Sequence, residues 1–143
     1  MFECKVKYTK VDSESGKEKK LTETYLVDAV DFIEAQTRIH KEMESLTSGE
    51  FELQSIKRVK YAELVQVDCE NIIWYKAKVS FTAVDETSGK EKRTAFSVLV
   101  TGSNVEEASQ NIQNAFKDSM SDYTIEGITD SKIIDYLPYE QAS

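Results

Sequence analysis

One histidine, two cysteines and five glycines are all that 143 residues hold of the types that most often bind metals, form thiolate nucleophiles or cradle phosphates. There is no Cys-x-x-Cys, no His-x-x-x-His and no calcium-loop spacing, so no metal site is expected. Glycine is too sparse for a phosphate loop. Ser15-Gly16-Lys17 and Ser88-Gly89-Lys90 lack the upstream glycine of a P-loop and open no helix. No cofactor is expected. Cys4 falls at an inward strand position and Cys69 in an acidic connector, which reads as two free thiols in a reducing compartment rather than a disulfide. No apolar run has the length a membrane span needs, and Met1-Phe2-Glu3-Cys4-Lys5 is no signal peptide. The expectation is a cytoplasmic protein with no membrane partner.

What is present is ordinary for a globular chain: 40% hydrophobic and 31% charged residues. The net charge is −8 and divides evenly, with 11 basic and 15 acidic groups in residues 1–72 and 7 and 11 in residues 73–143. An acidic chain is repelled at long range by duplex DNA, although local basic stretches can act against that background.

The main signal is internal. With Gly16 placed on Gly89, an offset of 73, Val11–Lys20 falls on Val84–Arg93, and Lys5/Lys78, Val6/Val79, Thr9/Thr82, Leu26/Leu99, Val27/Val100, Glu34/Glu107, Ala35/Ala108 and Ile39/Ile112 match. After one residue drops out, Phe51 meets Tyr123, Leu53 meets Ile125, Ile56 meets Ile128 and Lys60 meets Lys132. This is a tandem duplication.

Both copies share a physical plan. Phe2, Cys4, Val6 and Tyr8 alternate with polar residues, as do Tyr75, Ala77, Val79 and Phe81, a period of two that marks half-buried strands. Each strand meets a turn with Asp at its start and Gly near its end, then returns through residues 21–27 or 94–100 as a hairpin. Asp31 and Asn104 suit helix N-caps, each with Glu three residues on. The stripes Phe32, Ala35, Ile39, Met43, Leu46 and Val105, Ala108, Ile112, Phe116, Met120 follow helical spacing. A last strand is expected over Phe51–Val65 and over Tyr123–Leu137, with a bulge or bend near Ile56 and Ile128 where the alternation changes phase. The expected fold is α+β: a duplicated ββαβ unit, antiparallel sheet with one long helix per copy, arranged about a pseudo-twofold axis. Residues 1–143 form one domain, with 1–65 as repeat one, 66–73 as connector, 74–137 as repeat two and 138–143 as tail.

The phrases Tyr25-Leu26-Val27-Asp28-Ala29, Gly49-Glu50-Phe51-Glu52-Leu53, Ser55-Ile56-Lys57-Arg58, Trp74-Tyr75-Lys76, Asp85–Lys92 and Met120-Ser121-Asp122-Tyr123 resemble the family called domain of unknown function 4494. Members of that family often carry Trp just before the Phe-Glu-Cys-Lys phrase. Met1 holds that place here, and its repeat partner Trp74 keeps the aromatic. The resemblance implies a protein of gut bacteria or their phages and brings no site residues with it.

Chemistry is scarce among the side chains. His40 sits beside an apolar stripe with Gln113 as its repeat partner, and reads as a surface residue because no nucleophile or orienting group accompanies it. The carboxylate pairs Asp12/Glu14 and Asp85/Glu86 lie in hairpin tips, where burial cannot tune them, and Asp68 and Glu70 flank Cys69. No enzyme is expected. The candidate binding surface is the duplicated basic ribbon: Lys17, Lys19, Lys20 and Lys90, Lys92, Arg93 after the tips, with Lys5, Lys7, Lys76 and Lys78 on adjoining strands and Trp74 as a stacking aromatic. Such lysines also keep exposed strands from aggregating, which is the plainer explanation of them. The functional expectation is a non-enzymatic binding module acting on a macromolecule, most concretely an accessory nucleic-acid-binding protein of a phage or bacterium, with single-stranded nucleic acid or a protein as the partner. The alternative is an interaction or inhibitor protein that binds a protein partner. A monomer or simple homodimer is expected.

Overall fold

The computed structural model describes residues 1–47, 50–118 and 122–139. In chain order its elements are β1 (Phe2–Val11), β2 (Glu18–Val27), α1 (Phe32–Leu46), β3 (Phe51–Arg58), β4 (Glu63–Val65), β5 (Ile73–Val84), β6 (Glu91–Gly102), α2 (Val105–Phe116), β7 (Asp122–Asp130) and β8 (Ile133–Leu137). They fall into two compact units, Met1–Val59 with Lys132–Ser143, and Lys60–Ser131. Each unit is one four-stranded sheet and one helix, so the fold class is α+β.

In the first unit the strand order is β3-β1-β2-β8. β1 pairs antiparallel with β2 and β3, whereas β8 runs parallel to β2. In the second the order is β4-β6-β5-β7, with β5 antiparallel to β6 and β7 and with β4 parallel to β6. The sheets are therefore mixed, which corrects the antiparallel expectation. The long last strand of each copy is also two strands. After β3 the chain contributes Glu63–Val65 to the sheet of the second unit, and after β7 it contributes Ile133–Leu137 to the sheet of the first. The compact units thus cut across the boundaries expected of the repeats. Residue alternation reveals that a segment is extended, but not which sheet it joins.

The sheet faces follow from the inward residues. Phe2, Cys4, Val6, Tyr25 and Val27 pack with Ala35, Ile39 and Met43 of α1. Tyr75, Ala77, Val79, Val98 and Val100 pack with Ala108 and Ile112 of α2. Each large side chain so removed from water contributes about 1.5–3 kcal/mol. The helical stripes are shorter than their spacing implies: Phe32, Leu46 and Val105 are exposed, while Met120 lies outside the described residues. Both helices begin as expected. Asp31 and Asn104 accept from the backbone N–H of Glu34 and Glu107, each at 2.8 Å. The Glu107 carboxylate also accepts from the Ser103 N–H at 3.4 Å.

At the ends of β2 and β6 the helices are tied to the sheets from aligned positions. The Arg38 guanidinium donates to the carbonyls of Asp28 and Pro138, and the Asn111 amide donates to the carbonyl of Thr101 at 2.9 Å. The buried Thr101 hydroxyl accepts from the Val67 N–H at 2.7 Å and donates to the Val67 carbonyl at 2.8 Å, which fastens the residues after β4. Register shifts fall between Lys5 and Val6 and between Lys78 and Val79, leaving Gln54 and Glu126 as the extra residues. These bulges sit just ahead of Ile56 and Ile128, as the phase change predicts.

Candidate macromolecule-binding arms

Both hairpins run past the strands beside them. β3 pairs with β1 only as far as Tyr8, and β8 pairs with β2 only over Thr24–Val27. β4 pairs with β6 over Val98–Val100. Residues 9–20 and 83–96 are exposed throughout. Residues 9–20 and 83–92 form two-stranded arms, while residues 93–96 pair with the part of β5 that β7 also holds. Hydrogen bonds close the tips of both arms. Asp12 Oδ1 accepts from the Glu14 N–H at 2.9 Å and Asp12 Oδ2 from the Ser15 hydroxyl at 3.1 Å, while the Asp12 carbonyl accepts from the Gly16 N–H. Asp85 Oδ1 accepts likewise from the Thr87 N–H at 2.9 Å, and its carbonyl from the Gly89 N–H. Gly16 and Gly89 occupy φ of 69° and 70°, where a side chain is disfavoured.

These hydrogen bonds also answer the carboxylate question. The Glu14 N–H and then the Ser15 hydroxyl hold Asp12 below its ordinary pKa, and the Thr87 N–H and then the Ser88 hydroxyl do the same for Asp85. Both acids are turn-builders, charged at neutral pH. His40 is exposed, with its ring 5.1 Å from that of Phe51.

Strand pairing divides the basic residues between two faces. Lys19 stands opposite Lys10, and Lys92 opposite Ala83, on the helix side; Lys20, opposite Thr9, and Arg93, opposite Thr82, point the other way. Lys5, Lys7, Lys76 and Lys78 share that outward face. In the first unit Lys7 is opposite Glu52 and Glu3 opposite Lys57, so charges alternate there. In the second, Lys76 and Lys78 border a shallow depression of about 500 Å³ floored by Ala95, Ser97, Gly127 and Thr129. Arg93 lies four residues along β6 from Ser97, the partner of Lys78, about 13 Å away at ~3.3 Å per residue. Arg93 is 3.5 Å from Glu126, which also accepts from the Ser80 hydroxyl at 2.7 Å. Lys17 and Lys90 sit in the turns, their carbonyls accepting from the Asp12 and Asp85 N–H groups.

A family model described as a domain of unknown function (DUF4494) matches residues 1–139, a span that takes in both arms. The chain belongs to this family. No curated protein and no solved structure matches it.

The structure separates Trp74 from the other candidates. Its side chain is 2% exposed, and its carbonyl accepts from the N–H and hydroxyl of Ser131 at 3.0 and 2.6 Å. It is a structural residue, not a platform for bases. Among the described residues no helix is long and apolar enough to cross a membrane.

Two features escaped sequence reasoning. One is the bare edge of each arm, invisible until β4 and β8 were seen to stop short. The other is a cluster on the helix side of the first sheet, where the hydroxyls of Tyr8 and Tyr25 both donate to the Glu23 carboxylate. The hydrogen bond to Glu23, followed by partial burial, pushes Tyr8 up to about 12. Burial first, then the same carboxylate, raises Tyr25 further. The aligned trio in the second unit is Phe81, Phe96 and Val98. A lone Glu at an inward position, two residues from one Tyr and paired opposite Val6, was the available signal.

Proposed function

We propose that the protein is a non-catalytic binding module whose two hairpin arms engage another macromolecule. One observation carries this reading: residues 9–20 and 83–92 are exposed, yet are paired as two-stranded ribbons whose tips are closed by hydrogen bonds. A two-stranded ribbon without a covered face adds little to stability on its own, so arms of this length point to use outside the fold. Neither exposed segment carries net negative charge, unlike the chain as a whole. Residues 9–20 carry four basic and three acidic groups and residues 83–96 three of each, while the whole chain is −8.

The duplication is part of the same proposal. Support comes from matching strand orders, bulges at Gln54 and Glu126, and aligned ties from Arg38 and Asn111. A copied arm offers a partner two similar contacts, which raises avidity without new chemistry.

The most concrete version is an accessory nucleic-acid-binding protein. Lys76 and Lys78 line a trough of small residues in which a phosphate chain can approach the strand, and Arg93 continues the positive track. With Trp74 buried, the binding would rest on phosphate contacts rather than stacking. A mobility shift with single-stranded oligonucleotides should appear at low salt. Three neutralised phosphates would give log K a slope of about −2 against log salt. Lys78→Glu, or Lys76→Glu with Arg93→Glu, should abolish the shift. Absence of any shift at low salt would remove this version. A protein partner is the second reading, and the bare strand edges of the arms favour it.

A further inference from the structure

Backbone polarity along β6 identifies a specific docking edge. The Ser97 carbonyl accepts from the Ala62 N–H at 2.8 Å, so the polar groups of Ser97 point away from β5. In an antiparallel ladder the residues facing away from the partner alternate, so Ala95, Arg93 and Glu91 also turn their N–H and C=O groups outward. The tip agrees with this phase, because Asp85 N–H bonds to the Lys90 carbonyl and leaves the pair Val84/Glu91 facing out. β4 begins its register at Val98. Among the described residues Glu91–Phe96 therefore has β5 as its only strand neighbour, and three residues present donor and acceptor pairs along one line.

We propose that this edge of β6 accepts an extended acidic segment of a partner polypeptide as an additional strand. The inference rests on the reading that the arms are the binding elements and names what one of them binds. Main-chain hydrogen bonds would supply the docking, as in other cases of strand addition. Side chains would supply selectivity. Lys90 and Lys92 outnumber Glu91 along the edge, even with Arg93 paired to Glu126 at 3.5 Å, which suits acidic residues on the incoming strand. Phe96, 40% exposed and edge-on to Phe81 at 5.6 Å, offers an apolar seat on the helix side. A second copy of the chain fits less well, since cationic residues on an edge are a common guard against self-pairing. The aligned edge of β2 has the same backbone phase, yet it carries Glu23 where β6 carries Phe96. That carboxylate opposes an acidic strand, so the proposal concerns β6 alone.

The test uses the full chain and a fluorescein-labelled octapeptide of alternating Glu and Val. Anisotropy should rise on binding, and 0.5 M salt should weaken the complex. Ala95→Pro removes an outward N–H that β5 does not use and should weaken binding at least tenfold, whereas Thr22→Pro, at the equivalent place in β2, should leave it within twofold. A hydrogen-exchange measurement on the unaltered chain guards against misfolded variants: amides of Arg93 and Ala95 should gain protection when peptide is added. Binding unchanged by Ala95→Pro without that protection, no binding at all, or edge-dependent self-association in sedimentation would each overturn the proposal. Oligonucleotide shifts measured on the same samples separate the two levels. A failed peptide with an intact shift overturns only the strand-addition claim, while failure of both also overturns the role of the arms.

Discussion

Gly102 closes β6 where α2 begins, and adding a single methyl group there tests the packing of the second unit. A Cβ at Gly102 would lie 2.8 Å from the Ala108 nitrogen, 3.0 Å from the Ala108 Cα and 3.1 Å from the Asn104 carbonyl oxygen. All three atoms are backbone, and two of them form the first hydrogen bond of α2, Ala108 N–H to the Asn104 carbonyl at 3.0 Å. No side chain can swing aside, so the helix start must shift by most of an ångström or lose that bond. Overpacking of this kind costs about 1–3 kcal/mol. Replacing Gly by Ala also restricts the unfolded chain, which returns about 0.4–1 kcal/mol. The net expectation for Gly102→Ala is a loss of about 1–2 kcal/mol, read as a lower urea midpoint at unchanged slope and a fall in melting temperature of several degrees. Gly127→Ala is the control, because a methyl group there would meet nothing within 4 Å and its φ is not positive. It should be neutral or slightly stabilising. If Gly102→Ala melts at or above the parent temperature, the close approach of β6 and α2 is wrong.

Two further outcomes follow from titratable groups. Burial pushes the Cys4 thiol up to about 11, and its side chain is inaccessible, whereas Cys69 is partly exposed, with Sγ 3.6 Å from the Asn71 carbonyl. An aromatic disulfide reagent at pH 8 should therefore titrate one thiol quickly and the second only on unfolding; two fast thiols would contradict the packing of β1 against α1. Tyr8 and Tyr25 have folded pKa values above the ordinary 10, so their contribution to stability is fully present below pH 10 and drains as the pH rises through about 12. Tyr8→Phe should cost about 1 kcal/mol at pH 8, a figure reduced for solvent screening at this half-exposed site, and should flatten the alkaline decline in the urea midpoint. An unaltered decline in the variant would dissociate Tyr8 from Glu23.

Local structure was legible wherever the cause is local. The period-two runs at Phe2–Tyr8 and Tyr75–Phe81, the Asp–Gly tips and the caps at Asp31 and Asn104 all appear where the residues call for them. The bulges at Gln54 and Glu126 were visible as a phase change because an extra residue rotates every later side chain by half a period. What could not be read was the allegiance of Glu63–Val65 and Ile133–Leu137, since a short extended segment pairs equally well with any strand of suitable polarity. The division of the basic residues between two faces needed the register. Trp74 was misjudged for a related reason. Tyr75 beside it fills the helix side, and alternation then assigns Trp74 to the other face without revealing that this face is covered at that point.

The two arms differ in a way that the common plan makes informative. Val6 and Val79 are aligned, and the residues opposite them are Glu23 and Phe96. A carboxylate on the helix side of a sheet needs donors, and Tyr8 and Tyr25 supply them from both neighbouring directions. In the second unit the same two positions are Phe81 and Val98, which supply none and surround Phe96 with apolar surface instead. The two arrangements differ at three aligned positions, and each is satisfied within itself. The β2 edge presents a pinned charge beyond the first arm, and the β6 edge an exposed aromatic ring. If the arms engage a partner as proposed, Glu23 and Phe96 are where their selectivity would diverge.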